Sequence, residues 1–426
     1  MNYENINFVI FWATFMIIKI NGEKPHIILI VADDLGWNDI GFHGSKEIST
    51  PNIDRLATNG VVLDNYYVLP ICTPSRSAIM TGRYPIHTGM QQDTIYGPNP
   101  YGVSLNETFL PQYLKQQGYK TYGVGKWHLG FFAKEYTPTY RGFDSYYGSY
   151  LGKGDYWNHS NTETFTGLDL HDNEKVIIGV FSQDGVYNTE MYTSKAISYI
   201  SNHNCSEPLF LYLAFQAVHS SNSEVDPLQA PQEWIDKFSY IKHEQRRKYA
   251  AMLAYMDYGI GRVHEALNEK KMLDNSVIIF TTDNGGPSNG FNNNWANNFP
   301  LRGVKATLFE GLKNWDGWYP PPSYNESMND SLNSSTVKCG HDFPVVINHC
   351  DDYCLFHVVE DPCEIVDLSK KFPDVLATMM YRLNIYKQSM VPPRNNMTVD
   401  SRSDPKLHNG VWQPWEISSN MGCSKI

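Results

Sequence analysis

Hydrophobic and polar positions fall into blocks along the first three quarters of this chain, and the blocks switch between strand and helix periods. Residues 26–32 (HIILIVA) are an unbroken apolar run, the pattern of a strand covered on both faces. Thr50-Pro51 opens a short helix that Gly60 closes. Residues 61–68 read as another strand, 108–117 as a helix and 121–125 as a short strand. Residues 208–215 form a second buried strand, and 276–282 the next. Between them Tyr249, Met252, Leu253, Met256, Ile260, Val263 and Leu267 recur at helical spacing, a stripe better assigned to core packing than to a cofactor. The alternation predicts an α/β fold with a large, mostly parallel sheet flanked by helices, without internal repeats. Beyond residue 311 the chain turns rich in Pro, Asn, Ser and Trp. There 354–359 and 365–368 read as short strands and 373–386 as a helix. The organisation predicted is a leader (1–22), a large α/β domain (23–311) and a smaller, truncated C-terminal subdomain (312–426).

Composition narrows the partners. The 426 residues carry a net charge of -11, which argues against nucleic acid, and 14 histidines would move that balance toward neutral in an acidic compartment. The apolar run 8–18 is too short to span a bilayer and resembles a signal-peptide core, with Gly22 near a cleavage point, so no stable membrane span is expected. Seven Asn-x-Ser/Thr triplets (Asn106, Asn158, Asn204, Asn325, Asn329, Asn333 and Asn396) favour the secretory route, lysosomal or extracellular. Seven cysteines leave an odd one, with Cys72 the candidate to stay unpaired. Cys339, Cys350, Cys354 and Cys363 cluster late, as disulfide partners would.

Ligands of open α/β sheets bind beyond the carboxyl ends of the strands. Asp33-Asp34 follow the first strand, Cys72 follows 61–68, and Lys126 and His128 follow 121–125. His219 follows 208–215, and Asp283-Asn284 end the last strand. Five elements thus deliver reactive groups to one edge. Singly, each has an ordinary use: an Asp pair caps or turns, Asp283-Asn284-Gly285-Gly286 is a turn, and a lone His or Lys is more often surface or satisfied core. Cys72-Thr73-Pro74-Ser75-Arg76 opens a helix, with Thr73 as N-cap, Pro74 in the first turn and Gly82 as the stop. A helix N-terminus attracts anions and lowers a thiol pKa, although Cys72 fits a small buried hydrophobe equally well.

The combination Cys72-x-Pro74-x-Arg76, followed by a helix, resembles the first signature of the sulfatase family, and residues 118–130 (GYKTYGVGKWHLG) resemble its second. The similarity runs from about residue 26 to 311, resumes near Leu312 and continues through Trp415; within the family it is greatest to the arylsulfatase B branch, the N-acetylgalactosamine-4-sulfatases. After Glu310-Gly311 the chain passes directly to Leu312-Lys313-Asn314-Trp315, which resembles a much later point, so a stretch the size of a small domain is missing. The resemblance implies an alkaline-phosphatase-like sulfatase fold and oxidation of Cys72 to formylglycine by a formylglycine-generating enzyme. It also implies one Ca²⁺ held by Asp33, Asp34, Asp283, Asn284 and the modified Cys72. An oxygen-only set from these Asp and Asn side chains suits a hard cation and not zinc. The hydrated aldehyde supplies one hydroxyl to attack sulfur and a second to expel sulfate. Arg76 and Lys126 would hold this diol, with His128 as base. His219 and Lys305 would grip the sulfate, one of them protonating the leaving oxygen. After His219 the loop Ser220-Ser221-Asn222-Ser223 is longer than in relatives. The substrate implied is a sulfated carbohydrate, sulfated N-acetylgalactosamine of glycosaminoglycans, or an aryl sulfate. Two alternatives remain. The missing stretch motivates an inactive secreted glycoprotein. A superfamily phosphodiesterase or phosphatase would use Ser or Thr with two zinc ions, and the complete Cys-x-Pro-x-Arg motif argues against it.

Overall fold

A computed structural model of the chain describes residues 24–177, 185–307, 318–322, 335–339, 353–395 and 397–416. The leader 1–22, Cys350 and the sequons at Asn325, Asn329, Asn333 and Asn396 lie outside the described residues. Nine strands are described: β1 (His26–Ala32), β2 (Lys120–Lys126), β3 (Ser145–Ser149), β4 (Ser160–Glu163), β5 (Phe165–Leu168), β6 (His171–Asp172), β7 (Lys175–Val176), β8 (Leu209–Ala214) and β9 (Ser276–Thr282). Seven form one sheet in the order β7-β6-β3-β2-β8-β1-β9, while β4 and β5 make a separate hairpin. The five strands β3-β2-β8-β1-β9 are parallel, and β6 and β7 add antiparallel edges. β1 lies at the heart of this arrangement, pairing Ile28 with Leu211 on one side and with Ile278 on the other. Continuous apolarity in β1 and β8 therefore reflects cover on both faces.

Strand alternation divides the core in two. Ile28, Ile30 and Ala32 point to one face, where they meet the helices α4 (Asn188–Asn202) and α5 (Glu244–Glu269). All seven residues of the helical stripe predicted at 249–267 are buried there. Each such side chain contributes about 1.5–3 kcal/mol on burial. Leu29 and Val31 point to the other face and share a cluster with Phe109, Trp127, Phe210, Tyr212 and Trp412. The helices α1 (Pro51–Thr58), α2 (Cys72–Thr81) and α3 (Leu110–Gln116) complete the flanks of the domain. α6 (Pro373–Gln388) has no buried residue. Residues 391–395 and 397–416 lie over the larger body: Val391 N–H donates to Ile86 O, Arg394 N–H to Gly89 O and Trp412 N–H to Leu168 O. Trp412 is fully buried in the second core.

Three predicted strands do not form. Residues 61–68 are an exposed loop, with Val61 85% and Tyr67 70% accessible; both sides of β1 are taken by β8 and β9, and this run pairs with no strand of the sheet. Residues 354–359 and 365–368 are turns held by side chains. Asp361 accepts the N–H groups of Ile365 and Val366, and Asp367 those of Leu355 and Ser369, so carboxylates replace a strand ladder. Cys339 and Cys363 form a disulfide, while Cys72 and Cys205 are free. The described sequons Asn106, Asn158 and Asn204 are all exposed. No helix among the described residues is long and apolar enough to cross a membrane.

A buried ion network fixes the loops beyond β1 to α5. Arg246, fully buried, lies 2.7 Å from Asp39 and 2.8 Å from Glu47, and donates to Trp295 O. Tyr249 donates its hydroxyl to Asp39 at 2.5 Å. Removing Arg246 strands a buried carboxylate, so Arg246→Ala is expected to lose about 3–5 kcal/mol of stability. A urea unfolding midpoint that does not move would rule this role out.

Candidate active site

Helix α2 begins at Cys72 itself, with Ile71 as an uncapped, extended N-cap residue. The predicted cap, Thr73, is spent elsewhere: its hydroxyl donates to His128 O and accepts from Ile95 N–H, tying the helix start to two neighbouring loops. Gly82 does end the helix, in the left-handed conformation that glycine adopts freely. Because 61–68 is a loop, Cys72 does not follow a strand as expected. It reaches the sheet's carboxyl edge by packing α2 against it.

The other predicted residues arrive as the topology dictates. Asp33 and Asp34 leave the end of β1, Lys126 ends β2 with His128 two residues on, and Asp283-Asn284 leave β9. His219 lies five residues beyond β8, and its neighbouring backbone is locked by Val218 N–H donating to Asp33 O. Lys305 sits in a loop pinned beside Cys72 by Ala306 N–H donating to Pro70 O. All ten residues are buried. Asp34 and His128 also hold positive φ angles of 60° and 58°, an uncommon conformation for residues with a Cβ and one that collects at functional sites.

Charges interlock at short range. Lys126 Nζ is 2.6 Å from Asp33, Arg76 is 2.9 Å from Asp283, and Lys305 Nζ is 2.7 Å from Asp34. Arg76 also donates to Lys126 O and to the Tyr212 hydroxyl. Burial and the neighbouring Asp283 push the Asp33 carboxyl up to about 8. Asp283 is likewise buried, yet Arg76 holds it well below the usual carboxylate range. The Cys72 Sγ lies 3.8 Å from Asp33. Its thiol is pushed up to about 12, mainly by burial, so burial outweighs the helix field expected to lower it. As a thiol, Cys72 would be protonated and a poor nucleophile at neutral pH.

The two histidines are neutral. Burial first, then nearby cations, lowers both well below the ordinary histidine value. His219 Nδ1 donates to Ser220 O at 2.6 Å, leaving Nε2 to accept from Lys305 Nζ at 3.0 Å. His128 Nε2 donates to Ile95 O at 3.0 Å, and its Nδ1 is buried without a partner, an acceptor in want of a proton. Gly152 packs against this ring: a Cβ there would stand 2.6 Å from Cε1 and 2.8 Å from Nε2. Gly152→Ala should therefore displace His128 and lower kcat by about 10²-fold. Unchanged kcat with the urea midpoint of the parent would show that His128 needs no such fixed pose.

The donor set also fits a hard cation. Asp33, Asp34, Cys72 and His219 offer atoms within 4.8 Å of one another, although His219 Nε2 already accepts from Lys305. Asn284 spends its Nδ2 on Asp34 and on Gly285 O, and its Oδ1 is buried without any hydrogen bond. An unsatisfied buried oxygen beside three packed carboxylates is the arrangement that Ca²⁺ or Mg²⁺ relieves.

Above these groups opens a cavity of about 300 Å³ lined by Cys72, His128, His219 and Lys305, with Thr94, Tyr96, Lys153, Glu163, Phe291 and Asn292 as further walls. The sequence reading missed the latter six. They come from loops and the β4–β5 hairpin, and no periodicity or short motif marks them.

Comparison with known proteins bears on this site. A family model described as Sulfatase matches residues 25–316. Arylsulfatase J of Mus musculus is 35% identical over 500 aligned positions, which take in 93% of this chain and 81% of that protein. About a fifth of those positions face no residue of the present chain. N-acetylgalactosamine-6-sulfatase of Homo sapiens is 31% identical over 301 positions, 68% of this chain and 55% of that protein. The solved structure of Ps i-CgsB in complex with k-i-k-neocarrahexaose superimposes with a TM-score of 0.71 at 28% identity, covering 91% of this chain and 98% of that one.

Proposed function

The chain belongs to the sulfatase family of sulfuric ester hydrolases, and on that footing we propose that it cleaves sulfate esters through formylglycine formed at Cys72, with one Ca²⁺ beside it. The observation that carries this reading is that ten predicted residues from separate segments are buried together in one network of ion pairs and hydrogen bonds, with Cys72, His128, His219 and Lys305 lining one cavity.

When present, the aldehyde supplies a hydrate with two hydroxyls, one to attack sulfur and one to expel sulfate, which a serine or cysteine cannot do. Asp33, Asp34, Asp283 and Asn284 would hold the cation next to it. The chain's own groups do the rest. Arg76 and Lys126, each fixed by a buried carboxylate, place positive charge beside position 72. His128 Nδ1, neutral and unpartnered, takes a proton. Lys305 stays charged, since burial, which opposes it, is outweighed by Asp34 together with Cys72, Asp33 and Asp283, and grips the sulfate oxygens. His219, hydrogen-bonded to Lys305 through Nε2, grips the sulfate with it, and one of the two protonates the leaving oxygen. Burial of the whole set keeps these interactions from being screened by water.

For substrate we favour sulfated N-acetylgalactosamine of glycosaminoglycans. The human relative is named an N-acetylgalactosamine-6-sulfatase, and Ps i-CgsB is seen with a saccharide. The three exposed sequons and the disulfide support maturation in the secretory pathway, where a formylglycine-generating enzyme would act, with lysosomal or extracellular delivery. A second reading, an inactive glycoprotein, draws on the positions of arylsulfatase J that have no counterpart here. Assay of the purified chain on an aryl sulfate and on 4-sulfated N-acetylgalactosamine decides between them. The enzyme reading expects turnover that Cys72→Ala lacks. Equal inactivity of both proteins would leave the second reading.

A further inference from the structure

The cavity that Cys72, His128, His219 and Lys305 line carries one further cation. Lys153 lines the cavity, is only partly exposed and has no part in the chemistry above. Lys126, Lys305 and Arg76 are each held by a buried carboxylate within 3 Å. Lys153, by contrast, makes no side-chain hydrogen bond and no ion pair among the described residues. Its strongest acidic influence is Glu163 of β4, whose carboxylate accepts Gly97 N–H at 2.5 Å. Burial pushes Glu163 up to about 7, so near neutral pH this carboxyl offsets only part of the lysine's charge.

The backbone beneath Lys153 is fixed. Asn161 Nδ2 donates to Lys153 O, and Gln216 Nε2 donates to Gly154 O at 2.7 Å. Lys153 therefore projects from a rigid loop between β3 and the hairpin. Ammonium groups left unpaired in partly buried places are costly, and a structure that keeps one has an anion for it. At about 300 Å³ the cavity is at the small end of ligand pockets, room for roughly a monosaccharide beyond the sulfate. Tyr96 and Phe291 supply apolar faces to such a ring.

We propose that Lys153 is a specificity residue that binds a second anionic group of the substrate, so that this chain prefers sulfated saccharides carrying another sulfate or a carboxylate. The inference rests on the sulfatase reading and adds the charge of the substrate. A second anion meeting Lys153 forms a charge-assisted hydrogen bond out of bulk water, worth about tenfold in affinity.

The test compares kcat/KM for three esters with the same reacting group: the methyl glycoside of N-acetylgalactosamine 4-sulfate, its 4,6-disulfate, and a disaccharide joining the 4-sulfate to a uronate. Wild type should favour one or both dianions by about tenfold or more, and the favoured one tells whether the second anion is sulfate or carboxylate. Lys153→Gln should bring that preference close to one, chiefly through KM, and Lys153→Arg should restore it. A structural role would lower all three esters together and leave the ratio alone. Turnover of an aryl sulfate with the same ratio in wild type and Lys153→Gln overturns the inference alone. A wild type that turns over no sulfate ester overturns the sulfatase reading and this inference with it.

Discussion

Cys72→Ala is expected to abolish turnover, with a loss of about 10⁴-fold or more, while leaving the fold nearly intact. Among the described residues the side chain's polar contact is with Asp33 at 3.8 Å, a weak one, so its removal should cost about 1 kcal/mol or less. Loss of activity at an unchanged unfolding midpoint would separate a nucleophile from a packing residue. The companion measurement is the mass of the peptide spanning 72, after expression beside a formylglycine-generating enzyme. An aldehyde makes that peptide lighter than the thiol form. An intact thiol in an active preparation would remove the proposed nucleophile, because burial keeps that thiol protonated. Cys72→Ser should not restore cycling, since serine brings one hydroxyl and release of sulfate needs a second.

Asp283→Ala should remove turnover and cation binding together, and lower stability as well. Arg76 lies 2.9 Å from Asp283 and is fully buried, so deleting the carboxylate leaves a guanidinium largely uncompensated at a cost of about 3–5 kcal/mol. Calorimetric titration with Ca²⁺ reads the binding, and urea unfolding reads the stability. Asn284→Ala is the milder variant: it loses the Nδ2 hydrogen bonds to Asp34 and Gly285 O, so stability should fall by about 1–3 kcal/mol while Ca²⁺ affinity falls by about 10-fold or more. Full Ca²⁺ affinity in both variants would mean that the cation, if bound, sits elsewhere.

Much of the site was legible because its residues either end strong strands or belong to a compact motif. β1 and β8 declare themselves as unbroken apolar runs, and α5 by its seven-residue stripe, since burial on a regular element imposes a regular period. Asp33, Asp34, Asp283 and Asn284 could be placed at strand ends on that basis alone. Cys72, Arg76, Lys126 and His128 required the two signature stretches. Other readings failed where local apolarity had no tertiary partner. The run 61–68 looks like a strand, but it pairs with no strand of the sheet and lies exposed.

By itself, then, the sequence determined the α/β class, the central strands and the long core helix, and it nominated ten candidate site residues, because each depends on residues near one another in the chain or on a short motif. The tertiary structure alone decided where those groups meet. It inserted β8 between β1 and β2 and brought Lys305 beside Cys72. It also put Lys153 in the cavity and set the protonation of Cys72 and His128 through burial. Such facts depend on strand order and depth below the surface, which arise from contacts between distant residues and leave no period to read.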